Sequence, residues 1–248
     1  MVLTKYGTSG NVFWSKTFTR NNTTDGYLSV SDIDVDGNGN IYLAGYYSSG
    51  AVDLDPGANE NYLPSPVGKN NTFVVKLNAN GDFEWAKSIG SITSSRDVEP
   101  YSLAVDSDSN VLLTGYFEDT VDFDPGVGEE LITAEGGLNR VDMYVVKLDN
   151  LGNYQWVRTI GINNKNSRGY VVNSDANNNV YVLGEFNGNI DFDHSSGTTL
   201  LRADIEKGYI MKYKPKENIA SHKLTVIDLD VKEKLLQGKE VELDVLPR

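Results

Sequence analysis

Hydrophobic residues fall along this chain in two strand patterns. In Phe83-Glu-Trp85-Ala-Lys87, Phe83, Trp85 and Lys87 share one face while Glu84 and Ala86 share the other, the alternation of a strand covered on one side. In Ile41-Tyr-Leu-Ala44, both the Ile41/Leu43 face and the Tyr42/Ala44 face are apolar, which predicts a strand buried from both sides. Doubly buried strands inside singly buried ones are what stacked, radially arranged sheets produce.

Both patterns recur. Asp36-Gly-Asn-Gly-Asn40-Ile-Tyr-Leu-Ala-Gly45 returns as Asp106-Ser-Asp-Ser-Asn110-Val-Leu-Leu-Thr-Gly115 and as Asp175-Ala-Asn-Asn-Asn179-Val-Tyr-Val-Leu-Gly184. Trp14, Trp85 and Trp156 are spaced by 71 residues, and Lys5, Lys76 and Lys147 precede them by nine. A period near 70 is filled by a four-stranded blade with one long loop. The first strand of each unit is read as Ser31 to Val35, Tyr101 to Val105 and Tyr170 to Ser174, and the second as Ile41 to Tyr46, Val111 to Phe117 and Val180 to Phe186. The third carries the lysine (Phe73-Val-Val-Lys76-Leu; Tyr144-Val-Val-Lys147-Leu) and the fourth the tryptophan. Val2 to Tyr6 and Asn11 to Lys16 form a hairpin that matches only the third and fourth strands, so the sequence enters mid-repeat.

The third unit decays. Gly208 to Tyr213 still matches the lysine strand, but Ser221, followed by His222 and Lys223, stands where tryptophan is expected. Leu224 to Val231 and Lys239 to Leu246 read as two further strands, the second alternating at Val241, Leu243 and Val245, joined by the helix-favouring Lys232 to Gln237 and Gly238. The expectation is a single all-β domain over 1–248, a β-propeller of four-stranded antiparallel blades: a half blade at 2–19, blades at 27–90, 97–161 and 168–223, and a divergent closing or linker segment at 224–248. The favoured closure is a four-bladed ring sealed by that tail and the amino-terminal hairpin in a monomer. The alternatives are a fragment of a larger propeller or two chains sharing a ring.

With these residues in view, the sequence resembles the bacterial β-propeller repeat proteins called SBBP-type, frequent in large secreted and surface proteins, and more loosely the NHL-like propellers. The resemblance rests on the Asp-x-x-x-Asn-[Val/Ile]-x-x-x-Gly segment, the Phe-Asp-Pro-Gly loop and the Val-Val-Lys-Leu strand followed by Gly-x-[Phe/Tyr]-x-Trp, and it covers about residues 2 to 213. It implies a scaffold that presents a binding or adhesion surface, and an extracellular or cell-surface location.

Charge narrows the partners. A formal net charge of -13 argues against nucleic acid, whose phosphates need clustered basic side chains. Cysteine is absent, which removes disulfides, thiolate metal sites and a cysteine nucleophile. The first residues lack the apolar core of a signal peptide, and no apolar run approaches the roughly 18 residues of a membrane helix, so membrane insertion is not expected.

Candidate chemistry centres on acidic loops. The Asp36, Asp106 and Asp175 segments begin like calcium loops, but position six is Ile41, Val111 or Val180 and position twelve is Tyr47, Phe117 or Phe186, where an EF-hand needs Gly and Glu. They are read as turns. The pairs Asp53/Asp55, Asp122/Asp124 and Asp191/Asp193 are the candidate metal ligands, because alternate strand residues point the same way and present two carboxylates to Ca2+. No other cofactor is required. His194 and His222 give no zinc signature, and no nucleophile elbow, P-loop or dinucleotide fingerprint occurs. The tryptophans are assigned to packing between blades, and the repeated lysines to a solvent or blade-edge position. The leading function is a non-enzymatic propeller scaffold that binds a protein or glycan ligand in a bacterial secreted or surface protein. The alternatives are a polysaccharide lyase or hydrolase using acidic residues at the propeller centre, and a calcium-stiffened structural module.

Overall fold

The computed structural model describes residues 1–20, 26–66, 69–92, 97–135, 137, 140–161, 164–192 and 200–213. Every described element is a strand, so no described helix is long and apolar enough to cross a membrane. β1 (Val2–Tyr6) and β2 (Val12–Thr17) form an antiparallel hairpin, and β3 (Thr19–Arg20) follows. β4 (Leu28–Val35), β5 (Ile41–Tyr47), β8 (Asn71–Leu77) and β9 (Phe83–Ser91) hydrogen-bond in that order as the first full sheet. The short β6 (Val52–Asp53) and β7 (Tyr62–Leu63) form a hairpin inside the loop between β5 and β8. The second sheet repeats this as β10 (Val98–Val105), β11 (Val111–Phe117), β14 (Asp142–Leu148) and β15 (Tyr154–Ile160), with β12 (Thr120–Asp122) and β13 (Leu131–Thr133) as its loop hairpin. The third holds β16 (Ser167–Ser174), β17 (Val180–Asp191) and β18 (Leu200–Tyr213). This is the antiparallel propeller architecture expected of the repeat. The tail expected to close the ring, residues 224–248, lies outside the described residues, as do Ser221, His222 and Lys223.

The first strand of each unit begins three residues earlier than its alternation predicts. A β-bulge interrupts the ladder between Val30 and Asp32, Pro100 and Ser102, and Gly169 and Val171, leaving Ser31, Tyr101 and Tyr170 as the extra residues. One inserted residue flips the inside/outside pattern, so the periodicity restarts at the bulge. The repeated glycine makes room for it. A Cβ on Gly45, Gly115 or Gly184 would lie 1.9, 2.0 or 2.0 Å from the backbone oxygen of Ser29, Glu99 or Arg168. No other residue fits there.

The hydrophobic core lies between sheets. One cluster joins Phe18, Leu3 and Trp14 to Ile41, Leu43, Phe73 and Val75 of the first sheet. A second joins Tyr42, Ala44 and Val74 to Leu103, Val111 and Leu113 of the next, and a third joins Leu112, Met143 and Val145 to Val172, Val182 and Met211. The tryptophans seal these seams. Gly81, at φ +80° in the turn before β9, packs on Trp14 and Lys16; Gly152, at φ +79° before β15, packs identically on Trp85 and Lys87. The repeated lysines stand at the edges where sheets meet, Lys5 exposed and Lys76 buried. Lys5 Nζ reaches Ala79 O at 3.0 Å, and Lys76, only 8% exposed, reaches Asn150 O at 3.4 Å, each bonding the turn of the next unit.

Two further devices join neighbours. The carboxylates of Asp32 and Asp34 accept the backbone N–H groups of Leu103 and Val105 at 2.9 and 2.8 Å, covering the free edge of the next first strand. At the outer side β9 pairs with β12, and β3 with β6, so each long-loop hairpin clips onto the outer strand of the preceding unit.

The Asp/Asn/Gly segments are turns, as read from the sequence. Asp36 Oδ1 accepts N–H from Asn38 and Asn40, both at 2.9 Å, and Asp106 and Asp175 repeat the pattern. Asp106 also pairs with Lys147 at 2.6 Å, its own side chain fully buried. Burial alone raises the Asp36 and Asp106 carboxyls, but the hydrogen bonds, and for Asp106 the lysine, outweigh it and leave both below 3.8; Asp175, held chiefly by Asn179, sits at about 2. A carboxyl whose folded pKa is depressed contributes stability above its unfolded pKa and loses it as pH falls through the folded one. The melting midpoint is therefore expected to fall as pH drops from about 4 to about 2, and calorimetry across that window checks it. Gly115→Ala is expected to destabilise the protein by on the order of 3 kcal/mol at neutral pH, read as a lower denaturation midpoint, because backbone cannot yield as a side chain does.

Candidate functional site

The candidate metal ligands cap loops. Asp53 Oδ1 accepts N–H from Asp55 (3.0 Å) and Asn61 (2.9 Å), and Asp55 Oδ1 accepts that of Gly57 (2.7 Å). Asp122 Oδ1 accepts from Asp124 (3.0 Å) and Glu130 (2.8 Å), and Asp124 Oδ1 from Gly126 (2.8 Å). Each carboxylate turns toward its own loop, an Asx-turn pattern that fixes the hairpin ends. Asp191 ends β17 opposite Leu200, as Asp53 stands opposite Tyr62 and Asp122 opposite Leu131. Asp193 and His194 lie outside the described residues. Among the described residues, no group of three or more His, Asp or Glu is placed to hold a metal ion.

A different cluster forms where the bulged ends of the first strands lie side by side. Opposite each other across the β4/β5, β10/β11 and β16/β17 ladders stand Ser29 and Tyr46, Glu99 and Tyr116, and Arg168 and Glu185. The bulge residues Tyr101 and Tyr170 stack with ring centroids 5.5 Å apart and planes 20° from parallel. Tyr116 leans on Tyr101 at 5.5 Å, and Tyr27 meets Tyr46 edge-on at 5.7 Å. We call this end of the sheets the mouth. The fold supplies it through the bulge, which re-aims one side chain per strand.

A polar chain runs through the mouth from sheet to sheet. Tyr27 Oη donates to Asn70 Oδ1 at 2.8 Å, and Asn70 Nδ2 donates to Glu99 Oε1 at 2.5 Å. Glu99 also accepts from Tyr116. Arg168 bonds Tyr101 and pairs with Glu185 at 3.2 Å, and Tyr170 Oη donates to the same Glu185 oxygen. Burial pushes the Glu99 carboxyl above its ordinary value, the charges of Asp97 and Glu118 push the same way, and the donors Tyr116 and Asn70 pull it back. Burial and the bond to Glu185 push the Tyr170 phenol up to about 12, and burial with Glu99 pushes Tyr116 well above the phenol range. At neutral pH Tyr101, Tyr116 and Tyr170 therefore present neutral, partly buried phenols beside the carboxyl groups of Glu99 and Glu185. That set can stack on a flat apolar face and accept hydrogen bonds around it.

Sequence reasoning missed this cluster because it sought chemistry in what repeats. The signal lay in what does not. Against a shared backbone, Ser29, Glu99 and Arg168 occupy one repeated position, Tyr46, Tyr116 and Glu185 a second, and Ser31, Tyr101 and Tyr170 a third.

Comparison with known proteins agrees with the architecture. The family model described as SBBP, Beta-propeller repeat, matches residues 84–116, from within β9 nearly to the end of β11. The chain is also 29% identical over 191 residues to an uncharacterized WD repeat-containing protein of Acanthamoeba polyphaga mimivirus; the aligned part is 67% of this chain and 13% of that protein. The chain thus spans only a small part of that relative.

The loop carboxylates generate a test of the calcium reading. With their Oδ1 atoms occupied by backbone N–H groups, excess calcium and then chelator are expected to leave the melting midpoint unchanged. A rise of several degrees with calcium, as a ligand specific for the native state produces, would assign the ion to these loops.

Proposed function

We propose that this protein is a non-enzymatic propeller scaffold whose tyrosine-lined mouth binds a saccharide, within a secreted or surface-attached protein. The observation that carries the reading is the concentration of non-repeated side chains at three adjoining repeated backbone positions. A repeat scaffold needs the same residue in each copy where packing decides, as the glycines and tryptophans show. Where copies diverge into tyrosine, carboxylate and guanidinium at touching positions, packing is not what decides.

The chemistry fits a sugar. Tyr27 and Tyr170 are 47% and 40% exposed, so each offers ring surface to a ligand. Asn70, Glu99, Arg168 and Glu185 supply acceptors and donors around the rings, the combination that hydroxyl groups on a flat ring require. Binding is favoured over hydrolysis because both carboxylates are held by neighbours: Glu99 by Asn70 and Tyr116, Glu185 by Arg168 and Tyr170. A carboxyl so engaged positions a ligand better than it shuttles a proton.

A glycan panel scored for both retention and cleavage tests this. Retention is expected, with Tyr170→Ala and Glu99→Gln each weakening it roughly tenfold, the loss of about 1.4 kcal/mol. Product release abolished by a single carboxylate substitution would make the protein an enzyme instead.

A further inference from the structure

The hydrogen bonds of the mouth run in one direction, from groups that carry protons to acceptors of the protein itself. Tyr27 Oη donates to Asn70 Oδ1, and Asn70 Nδ2 donates to Glu99 Oε1. Tyr116 gives its proton to Glu99, and Tyr170 gives its own to Glu185. Arg168 spends N–H groups on Glu185 and on the phenol of Tyr101. A phenol whose proton is committed keeps only lone pairs, and a carboxylate has nothing but acceptor sites. What Tyr27, Tyr116, Tyr170, Glu99 and Glu185 have left for a ligand is therefore acceptor capacity and ring surface.

Charge points the same way. Burial, and after it the charges of Asp97 and Glu118, work against the ionised form of Glu99, and the groups that favour it are the neutral donors Tyr116 and Asn70. The nearby cations stand against other carboxylates: Lys69 Nζ lies 3.7 Å from Asp97, and Arg168 lies 3.2 Å from Glu185. A cation beside Glu99 would offset both its burial and the repulsion from its neighbours.

An ammonium group is the complement of such a surface. It carries three donors, no acceptor and a positive charge, and it is attracted to the face of a phenol ring within about 6 Å of the ring centre. A carboxylate or an acetamido oxygen brings acceptors to a surface that already has them in excess. The polar chain also places Glu99 between the two exposed rings, with Tyr27 reached through Asn70 on one side and Tyr170 reached through Tyr116 and Tyr101 on the other.

We propose, on the footing of the saccharide reading above, that the mouth selects sugars with a free amino group, the ammonium seated beside the Glu99 carboxylate and the sugar rings stacked on Tyr27 and Tyr170. Glu99 is the specificity-determining residue of this site. The tyrosines supply affinity for any sugar ring, and the carboxylate chooses among them.

Titration calorimetry on the full chain tests this with three oligosaccharides of the same linkage and length, built from glucosamine, from N-acetylglucosamine and from glucose, at a pH where the amine is charged. The glucosamine oligomer is expected to bind roughly tenfold tighter than the other two, with a preference that shrinks as salt is raised. Glu99→Gln, which keeps an acceptor for Tyr116 and Asn70, is expected to erase the preference and leave the weaker binding in place. Tyr170→Ala weakens all three, and Asp108→Asn, which removes the same charge in the turn at the other end of β10, leaves the preference intact. The selectivity and salt dependence of the wild type decide the case even where a variant fails to fold. Equal or weaker binding of the glucosamine oligomer, or a preference that survives Glu99→Gln, overturns this inference and leaves the saccharide reading standing. Binding of none of the three overturns both.

Discussion

The three sheets that contain β4, β10 and β16 depend on a contact that admits no side chain. The backbone oxygens of Ser29, Glu99 and Arg168 rest where a Cβ would stand on Gly45, Gly115 and Gly184. That contact permits the bulge in each first strand, and the bulge decides what the strand can display. Above it, Tyr101 and Tyr170 are lifted out of register to stack across the seam between sheets. Below it, the resumed alternation sends Asp32 and Asp34 toward the next sheet to bond the edge of β10. One glycine per repeat thus supports a joint and a surface together.

The balance of forces at the seams is mainly apolar. Each seam buries clusters of Val, Leu, Tyr and Phe, and burial of one such side chain is worth about 1.5–3 kcal/mol. The polar contacts set register more than they add stability. Asp32 and Asp34 reach two N–H groups of the adjacent first strand, and Lys5 and Lys76 reach one carbonyl each of the adjacent turn, so a sheet displaced by one residue would lose every partner. The buried Asp106–Lys147 pair acts within its own sheet, tying the turn before β11 to β14. Removing one partner would leave the other charged and desolvated, so such a pair fixes geometry even where its net contribution is small.

How much of this the sequence revealed follows from the same division. The period, the sheet order, the Asp/Asn turns and the packing role of tryptophan were legible, because periodic burial demands periodic residues: Trp14 and Trp85 meet equivalent glycines, and Ile41 and Val111 begin equivalent buried strands. The start of each first strand was not legible, since a bulge erases the alternation that would mark it. The burial of Lys76 was not legible, for a chemical reason. A long apolar stem lets Lys76 pass beneath Tyr42 and lie buried while its amine reaches Glu84 and the next turn, and composition cannot separate that from a solvated lysine. The Asp-x-Asp pairs looked convergent as strand residues, but the chain turns between Asp53 and Asp55, and each carboxylate follows its own backbone.

The candidate site was illegible for a deeper reason, which also bears on how such a protein acquires specificity. Averaging over copies strengthens every structural signal and cancels every functional one, so Glu99 compared with Ser29 and Arg168 reads as noise. In the folded chain the three stand at one level of adjacent first strands, each backed by its own glycine contact. The scaffold therefore keeps backbone positions constant while side chains at the mouth vary freely, because those side chains are half-exposed and carry little of the core. A symmetric ring would offer a ligand several equivalent orientations. Unlike residues at like positions offer one, with the phenols of Tyr27 and Tyr46 on one side and the Arg168–Glu185 pair on the other. Divergence among copies is what converts a repetitive fold into a directional surface.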